Sequence, residues 1–517
     1  MVGVVILPEQ VIEKIKKNII PQWKMCFISA IVIGLIAHLY KITNWLPNWD
    51  SLVFRYDAQN MVSMGRWFLP VASALSSFYD LPWITGLMAI LFHAIGAVCI
   101  CKIFEVKKNL TAMLIGAAVV SFPTVTSVLL YNYVADSYSF AFLLSCIAAL
   151  LITRDKLKYY ILAAILIALS VGIYQAYITV TIMLLLCFLI IEVLKKETKI
   201  KDVLIKSAKF LLTGIVGMVL YYLALTVILK VTKTALLEYQ GFDNAASLSG
   251  FNIPASLYVI KESFVNYFFD FSNGINVFSV INVIVLIAAV AFYLIDVIKN
   301  KLNIFKILVL VVLVVFLPIA ASVLSFINSS IDYHNLMKMG FFGFYLLFIL
   351  QYEKTEAKSI NVNAFKSWFV FAVTAALIFN QIIIANVSYH KLNMAYEKSI
   401  GTLNRIADRI EQTEGSEDCD KILVLGALEG SEDYSAVLPP DITGTTDGYI
   451  LRADDEIVGQ SVLCSALNDY CGKNYKFVSG SKKTDLLEKI DESNMNNWPS
   501  KNSILIIDNV IVIKLSD

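Results

Sequence analysis

ADSYSFAFLLSCIAALLITRDKLKYYILAAILIALSVGIYQAYITVTIMLLLCFLIIEVLKKETK, residues 135–199, decides the fold. Three apolar runs, near 135–153, 159–173 and 175–194, are separated by a basic cluster (Arg154, Lys156, Lys158) and by a tight turn at Gly172. Roughly 20 consecutive apolar residues cross a hydrocarbon layer about 30 Å thick as a helix, and the short middle run falls just below that length. Charges stay in the connections. That is the pattern of membrane helices.

The same pattern extends outward in both directions. Further runs lie near 24–41, 81–104, 109–130, 207–230, 276–297, 305–327, 337–352 and 366–387, about eleven in all. The 517 residues are 58% hydrophobic and 16% charged, where a soluble chain carries roughly 25% charged residues. A net charge of +1 gives no sign of a nucleic-acid partner. Met1 to Ile20 is interrupted by Glu9, Glu13, Lys14, Lys16 and Lys17, so no cleavable signal peptide is expected. Pro8 to Ile20 reads as a short amphipathic helix on the membrane surface. The expected fold is an α-helical polytopic membrane domain, residues 1–390, followed by a small α/β domain, 391–517.

Lysines orient the chain. Alternate loops hold Lys14/Lys16/Lys17, Lys102/Lys107/Lys108, Arg154/Lys156/Lys158, Lys195/Lys196/Lys199/Lys201/Lys206, Lys299/Lys301/Lys306 and Lys354/Lys358, while the intervening loops are nearly free of lysine. Cytoplasmic loops carry the excess of Lys and Arg. The N-terminus is therefore expected on the cytoplasmic side of the membrane and the C-terminal domain outside.

The outer loops carry the chemistry. The first, about 42–80, includes NWDSLVFRYDAQNMVSMGRWF, whose Leu52, Val53, Tyr56, Met61, Met64 and Phe68 form an apolar stripe expected on a surface helix. Asp50 and Asp57 are seven apart and share a face on such a helix. Arg66 and Trp67 follow, and Asp136 stands at the outer end of the fourth run. Carboxylates and a guanidinium at one water–membrane boundary suit transfer from a lipid-phosphate donor: a carboxylate takes a hydroxyl proton as a base, and Arg holds phosphate through its two-pronged fork. Plainer readings stand beside these. Asp50 and Asp136 can cap helices, Asp57 can be a solvated face residue, and Arg66-Trp67 can be an interfacial anchor.

Beyond residue 390 charge density rises. AYEKSIGTLNRIADRIEQTE, 395–414, is an amphipathic helix continuing out of the last span, KILVLGAL is a buried strand, and SILII-DN-VIVIKL is a hairpin turning at Asp508-Asn509. A helix is expected near 484–492. Cys26, Cys99, Cys101, Cys146 and Cys187 read as apolar packing residues, whereas Cys464 and Cys471 are a candidate disulfide pair in the outer domain. The four histidines are scattered, and no zinc motif is present.

NWDSL, QNMVSMGRWFLP, SSFYDLPW (76–83), ADSY (135–138), GIYQAY (172–177) and HNLM (334–337) together resemble the bacterial membrane glucosyltransferases typified by the O-antigen-modifying Gtr enzymes, within the wider GT-C class. The resemblance implies a hexose, normally glucose, carried on a polyprenyl monophosphate and moved to a surface glycan, by an inverting reaction with no metal or other cofactor. It implies Asp50 as the catalytic carboxylate of the first loop, acting as general base, with Asp57 as a further acidic position and Asp136 as the second-loop acid that would orient the acceptor or the base. Arg66 falls to the donor phosphate, and Tyr174, Gln175, Trp67 and His334 to substrate binding. The rival reading is a lipid-sugar flippase or secondary transporter, which would place ionisable groups mid-membrane. The helix centres are clean of Asp, Glu, Arg and Lys, which favours surface chemistry.

Overall fold

The computed structural model describes residues 8–53, 61–237, 252–272, 274–329, 331–355, 362–428, 442, 451, 456–491 and 495–516. A short helix α1 (Pro8–Asn18) precedes α2 (Pro21–Thr43). The first loop then contributes α3 (Trp49–Val53), a 3-10 turn (Val62–Met64) and α4 (Leu69–Ser73). The bundle continues with α5 (Pro82–Ile103), α6 (Asn109–Ser121), α7 (Pro123–Leu130), α8 (Ala135–Ile152), α9 (Leu157–Ile173), α10 (Ile178–Leu194) and α11 (Ile200–Thr232). It closes with α12 (Ile253–Phe268), α13 (Val277–Asn300), α14 (Ile304–Ala321), α15 (Phe342–Glu353) and α16 (Val362–Glu411).

Among the described residues nine helices are long and apolar enough to cross a membrane. The chain is a multi-pass helical membrane protein. The other two apolar runs are shorter: α9 has 17 residues, and the run near 337–352 is a 3-10 stretch, Asn335–Phe341, continued by the 12 residues of α15. The run at 109–130 is broken at Pro123, which holds Phe122 out of the helical region at φ −58°, ψ 138°. Helices α2 and α6 cross so closely at Gly116 that any Cβ there would collide with the carbonyl oxygen of Cys26.

Two loop expectations change. The continuous surface helix expected from residue 52 to 68 is not what the described residues form, and 54–60, with Asp57, lie outside them. Past that gap the chain turns at Gly65, left-handed at φ +76°, where a Cβ would stand 2.7 Å from the Tyr221 hydroxyl. The second change is α12, which falls between the apolar runs near 207–230 and 276–297, where the hydropathy pattern leaves a connection. Its start is capped by Asn252, which accepts from the Ala255 N–H, and Pro254 stands in its first turn.

Polar contacts gather the basic loops at the end of the bundle where α2 begins. Gln22 donates to the Lys107 carbonyl at 2.7 Å, and Lys108 Nζ donates to Thr355 Oγ1 at 2.9 Å. Lys354 pairs with Asp296 at 2.7 Å, and Lys306 Nζ reaches the Lys195 carbonyl at 2.7 Å. Helix α3 follows the opposite end of α2.

Helix α16, 50 residues long, runs without a break through residue 390. After it come β1 (Lys421–Leu425), α17 (Glu456–Cys471), β2 (Lys476–Phe477), α18 (Ser481–Asp491), β3 (Ile504–Ile507) and β4 (Val510–Lys514). The strand order is β2-β1-β4-β3, with β1 parallel to both neighbours and β3–β4 an antiparallel hairpin. Asp508 and Asn509 both take positive φ, as a primed two-residue turn demands. The disulfide expectation is corrected here. Cys464 and Cys471 are free and sit on one helix, where seven residues separate them by about 10 Å along the axis. A disulfide needs Cα atoms within roughly 7 Å.

Candidate active site

Asp50 lies in the first turn of α3, next to Ser51, which reaches back to Asn48: the Asn48 side chain accepts from both the Ser51 N–H and hydroxyl at 2.9 Å. Asn48 rather than Asp50 therefore serves as the local cap. This leaves the Asp50 carboxylate free to point inward, where Oδ2 accepts from the Tyr133 hydroxyl at 3.3 Å. Burial pushes the Asp50 carboxyl above its usual range, and the Tyr133 bond and the Arg66 charge pull it partly back.

Arg66 has its guanidinium held from two sides. Its Nη1 donates to the Tyr138 hydroxyl at 2.8 Å, and its guanidinium lies 4.9 Å from the centroid of the Tyr174 ring. Those two rings stack at 4.5 Å, interplanar angle 4°, so the cation rests on a rigid aromatic wall. Its backbone is set by the turn before it. Gln175 Nε2 donates to the Met64 carbonyl at 2.9 Å, and Tyr221 donates to the Gly65 carbonyl at 3.0 Å.

Asp50, Arg66, Tyr174, Gln175 and His334 line one cavity of about 110 Å³, together with Tyr133 and Tyr138. Residues from the first loop, α8, the 3-10 turn after α9 and the segment before α15 thus converge. Desolvation pushes the His334 imidazole down to about 4, so it is neutral at physiological pH, and its Nδ1 has no hydrogen-bond partner among the described residues.

Two expected residues stand elsewhere. Asp136 is buried in the first turn of α8, where Oδ1 accepts from the Ser137 N–H at 2.8 Å, and it does not line the cavity. Trp67 turns away to pack on Phe68, ring centroids 5.6 Å apart, and against Gly172, where a Cβ would stand 2.7 Å from the indole. Tyr133 and Tyr138 were the residues missed. The signal was present in YNYVADSY, three tyrosines at the mouth of a membrane helix, yet a tyrosine there is equally an interfacial anchor.

Beside the cavity runs an apolar groove of about 820 Å³ between α10, α11 and α14. Its lining begins at Ile178 and Val323, close in sequence to Ala176 and Leu324 of the cavity wall.

The family model described as Glucosyl transferase GtrII matches residues 39–350, more than half of the chain. Comparison with curated proteins and with solved structures returns no match. The matched stretch runs from α2 to the C-terminal part of α15 and contains every residue that lines the cavity. With a membrane bundle, and with an acid and an arginine facing one cavity, the chain belongs to the GtrII glucosyl transferase family.

Proposed function

We propose that the protein transfers a hexose, glucose by family likeness, from a polyprenyl monophosphate to a surface glycan at the outer face of the bacterial cytoplasmic membrane. The observation that carries this reading is the meeting of Asp50 and Arg66 in one cavity. Residues 1–390 form the catalytic, GT-C-like unit and 391–517 an extracytoplasmic one. The lysine-rich end lies in the cytoplasm, which puts the cavity outside, beyond reach of nucleotide sugars. Energy then has to arrive in a bond already carried across the membrane.

The step is one displacement. An acceptor hydroxyl oxygen attacks the anomeric carbon from the face opposite the phosphate. The new C–O bond forms as the bond to the phosphate oxygen breaks, which inverts the centre. The hydroxyl proton passes to Asp50, and the electron pair leaves with the carrier phosphate. Arg66 neutralises the charge that develops there, the role a metal ion has in other transferases. A carboxyl raised by burial suits a base working near neutral pH. The carrier's chain lies in the adjoining apolar groove, with its phosphate at Arg66. Asp136, expected to orient the acceptor or the base, stands in the first turn of α8 off the cavity lining and is given no step in the transfer.

Purified protein in lipid nanodiscs, given synthetic polyprenyl-phospho-glucose, a surface-glycan acceptor and chelator but no nucleotide, is expected to release polyprenyl phosphate and glucosylated glycan. Turnover with a nucleotide sugar alone would overturn the reading.

A further inference from the structure

Asp80, in SSFYDLPW, precedes α5 and reads at first as a helix cap. The residue at the cap position is Leu81, however, and no side chain caps that helix. The Asp80 carboxylate is buried, 8% exposed, and its two oxygens are spent on segments remote in sequence. Oδ2 accepts from Trp45 Nε1 at 3.0 Å, 35 residues away. Oδ1 accepts from the Asn132 side-chain amide, 52 residues away, whose own oxygen takes the Thr85 hydroxyl at 3.0 Å. A buried carboxylate with two donors is a rigid tie. Lys41, itself 1% exposed, balances its charge electrostatically and donates to the Leu46 carbonyl at 2.7 Å.

Both tied segments lead to the base. Asn132 adjoins Tyr133, whose hydroxyl donates to Asp50. Trp45 stands in the short link from α2 to α3, which carries Asp50. The far side of Trp45 meets the C-terminal α/β region: its ring lies 6.3 Å from Tyr396 on α16 and 6.2 Å from Tyr470 on α17. Leu52, two residues beyond Asp50 and 4% exposed, shares a core with Leu403, Ile406, Ile422 and Leu467. The helix bearing the base is thus packed into the core of the C-terminal α/β region.

We infer that Asp80 is a positioning residue for the transfer, through which the C-terminal α/β region, residues 391–517, by way of Trp45, holds the Tyr133 hydroxyl on Asp50. This rests on Asp50 being the base. It gives the C-terminal α/β region a role in catalysis itself, beyond any contact with the acceptor. Displacing a reacting group by about 1 Å can cost on the order of 100-fold in rate, so a tie of this kind acts on turnover more than on donor binding.

The test uses the full chain in nanodiscs and reads kcat, donor KM and the pH profile of kcat. Asp80→Asn opposes two amides at Asn132, and is expected to lower kcat about tenfold or more with donor KM changed less than about twofold. The acidic limb of the profile should also move to higher pH, because the Tyr133 bond that lowers the Asp50 pKa is weakened; Tyr133→Phe should move it the same way. The double swap Asp80→Asn/Asn132→Asp exchanges amide and carboxylate, keeps every bond of the tie, and is expected to restore both kcat and the profile. If Asp80→Asn does not accumulate in membranes, Trp45→Phe, which cuts the indole bond alone, carries the same expectation. Unchanged kcat and profile in the single variant, or a folded swap that restores neither, overturns the inference. An active Asp50→Asn protein instead overturns the base assignment on which it rests.

Discussion

The Tyr133 hydroxyl donates to Oδ2 of Asp50 at 3.3 Å, joining the membrane bundle to the short helix that carries the proposed base. One turn along α8, Tyr138 accepts from Arg66 at 2.8 Å. Neighbouring tyrosines of one sequence stretch therefore hold the acid and the guanidinium on the same cavity.

Replacing Asp50 by Asn keeps the shape and removes the proton acceptor. Turnover is expected to fall by roughly 100-fold or more, the usual scale of general-base help, with expression unchanged. The sign of the pH dependence follows. The base works deprotonated and its pKa is raised by burial. Activity should therefore decline with falling pH through a limb that lies above the ordinary carboxylate value of about 4. A limb at the ordinary value, or a near-wild-type Asn variant, would move the base elsewhere.

Arg66→Lys preserves charge and loses both the fork and the flat stacking on Tyr174. Apparent donor affinity should weaken about tenfold, on the order of 1.4 kcal/mol. Thermal unfolding of the variant separates this from an anchor: a lowered transition with unaltered donor affinity would support the anchoring role.

His334 is neutral across the working range, having been pushed down to about 4. His334→Ala should weaken substrate binding through the loss of a cavity hydrogen-bonding nitrogen and leave the pH profile between 6 and 8 in place. A limb that vanishes in this variant would show that the imidazole titrates during turnover.

Gly214 on α11 lines the groove, and nothing lies within 4 Å of where its Cβ would stand. Gly214→Phe projects a ring into the groove from a Cβ that meets nothing, and replaces glycine with a residue whose helix propensity is better by about 0.5 kcal/mol or less. Stability should hold or rise, while KM for a long-chain donor increases about tenfold and that for a short-chain analogue changes little. Equal effects on both donors would place the chain outside this groove.

Cys471 is partly exposed and Cys464 is buried, its thiol pushed up to about 11 by burial. A maleimide should label Cys471 in native membranes without reductant and spare Cys464. Protection of both until reduction would restore the disulfide.

The sequence alone determined what depends on local runs of residues. Hydropathy is local, so the apolar helices stood out, as did the turn at Asp508-Asn509, where a two-residue hairpin needs positive φ. Asp50 and Arg66 were legible as a carboxylate and a guanidinium in one loop. Spacing misled where the backbone state was unknown: Cys464 and Cys471 looked close until α17 set them two turns apart. Tertiary structure alone decided which side chains share the cavity. Asp136 and Tyr138 are two residues apart on α8, and its rotation sends the tyrosine to Arg66 and leaves the acid at its own helix start. The partners of Asp80 lie 35 and 52 residues away, brought together by helix packing, and no local pattern records a meeting across that distance.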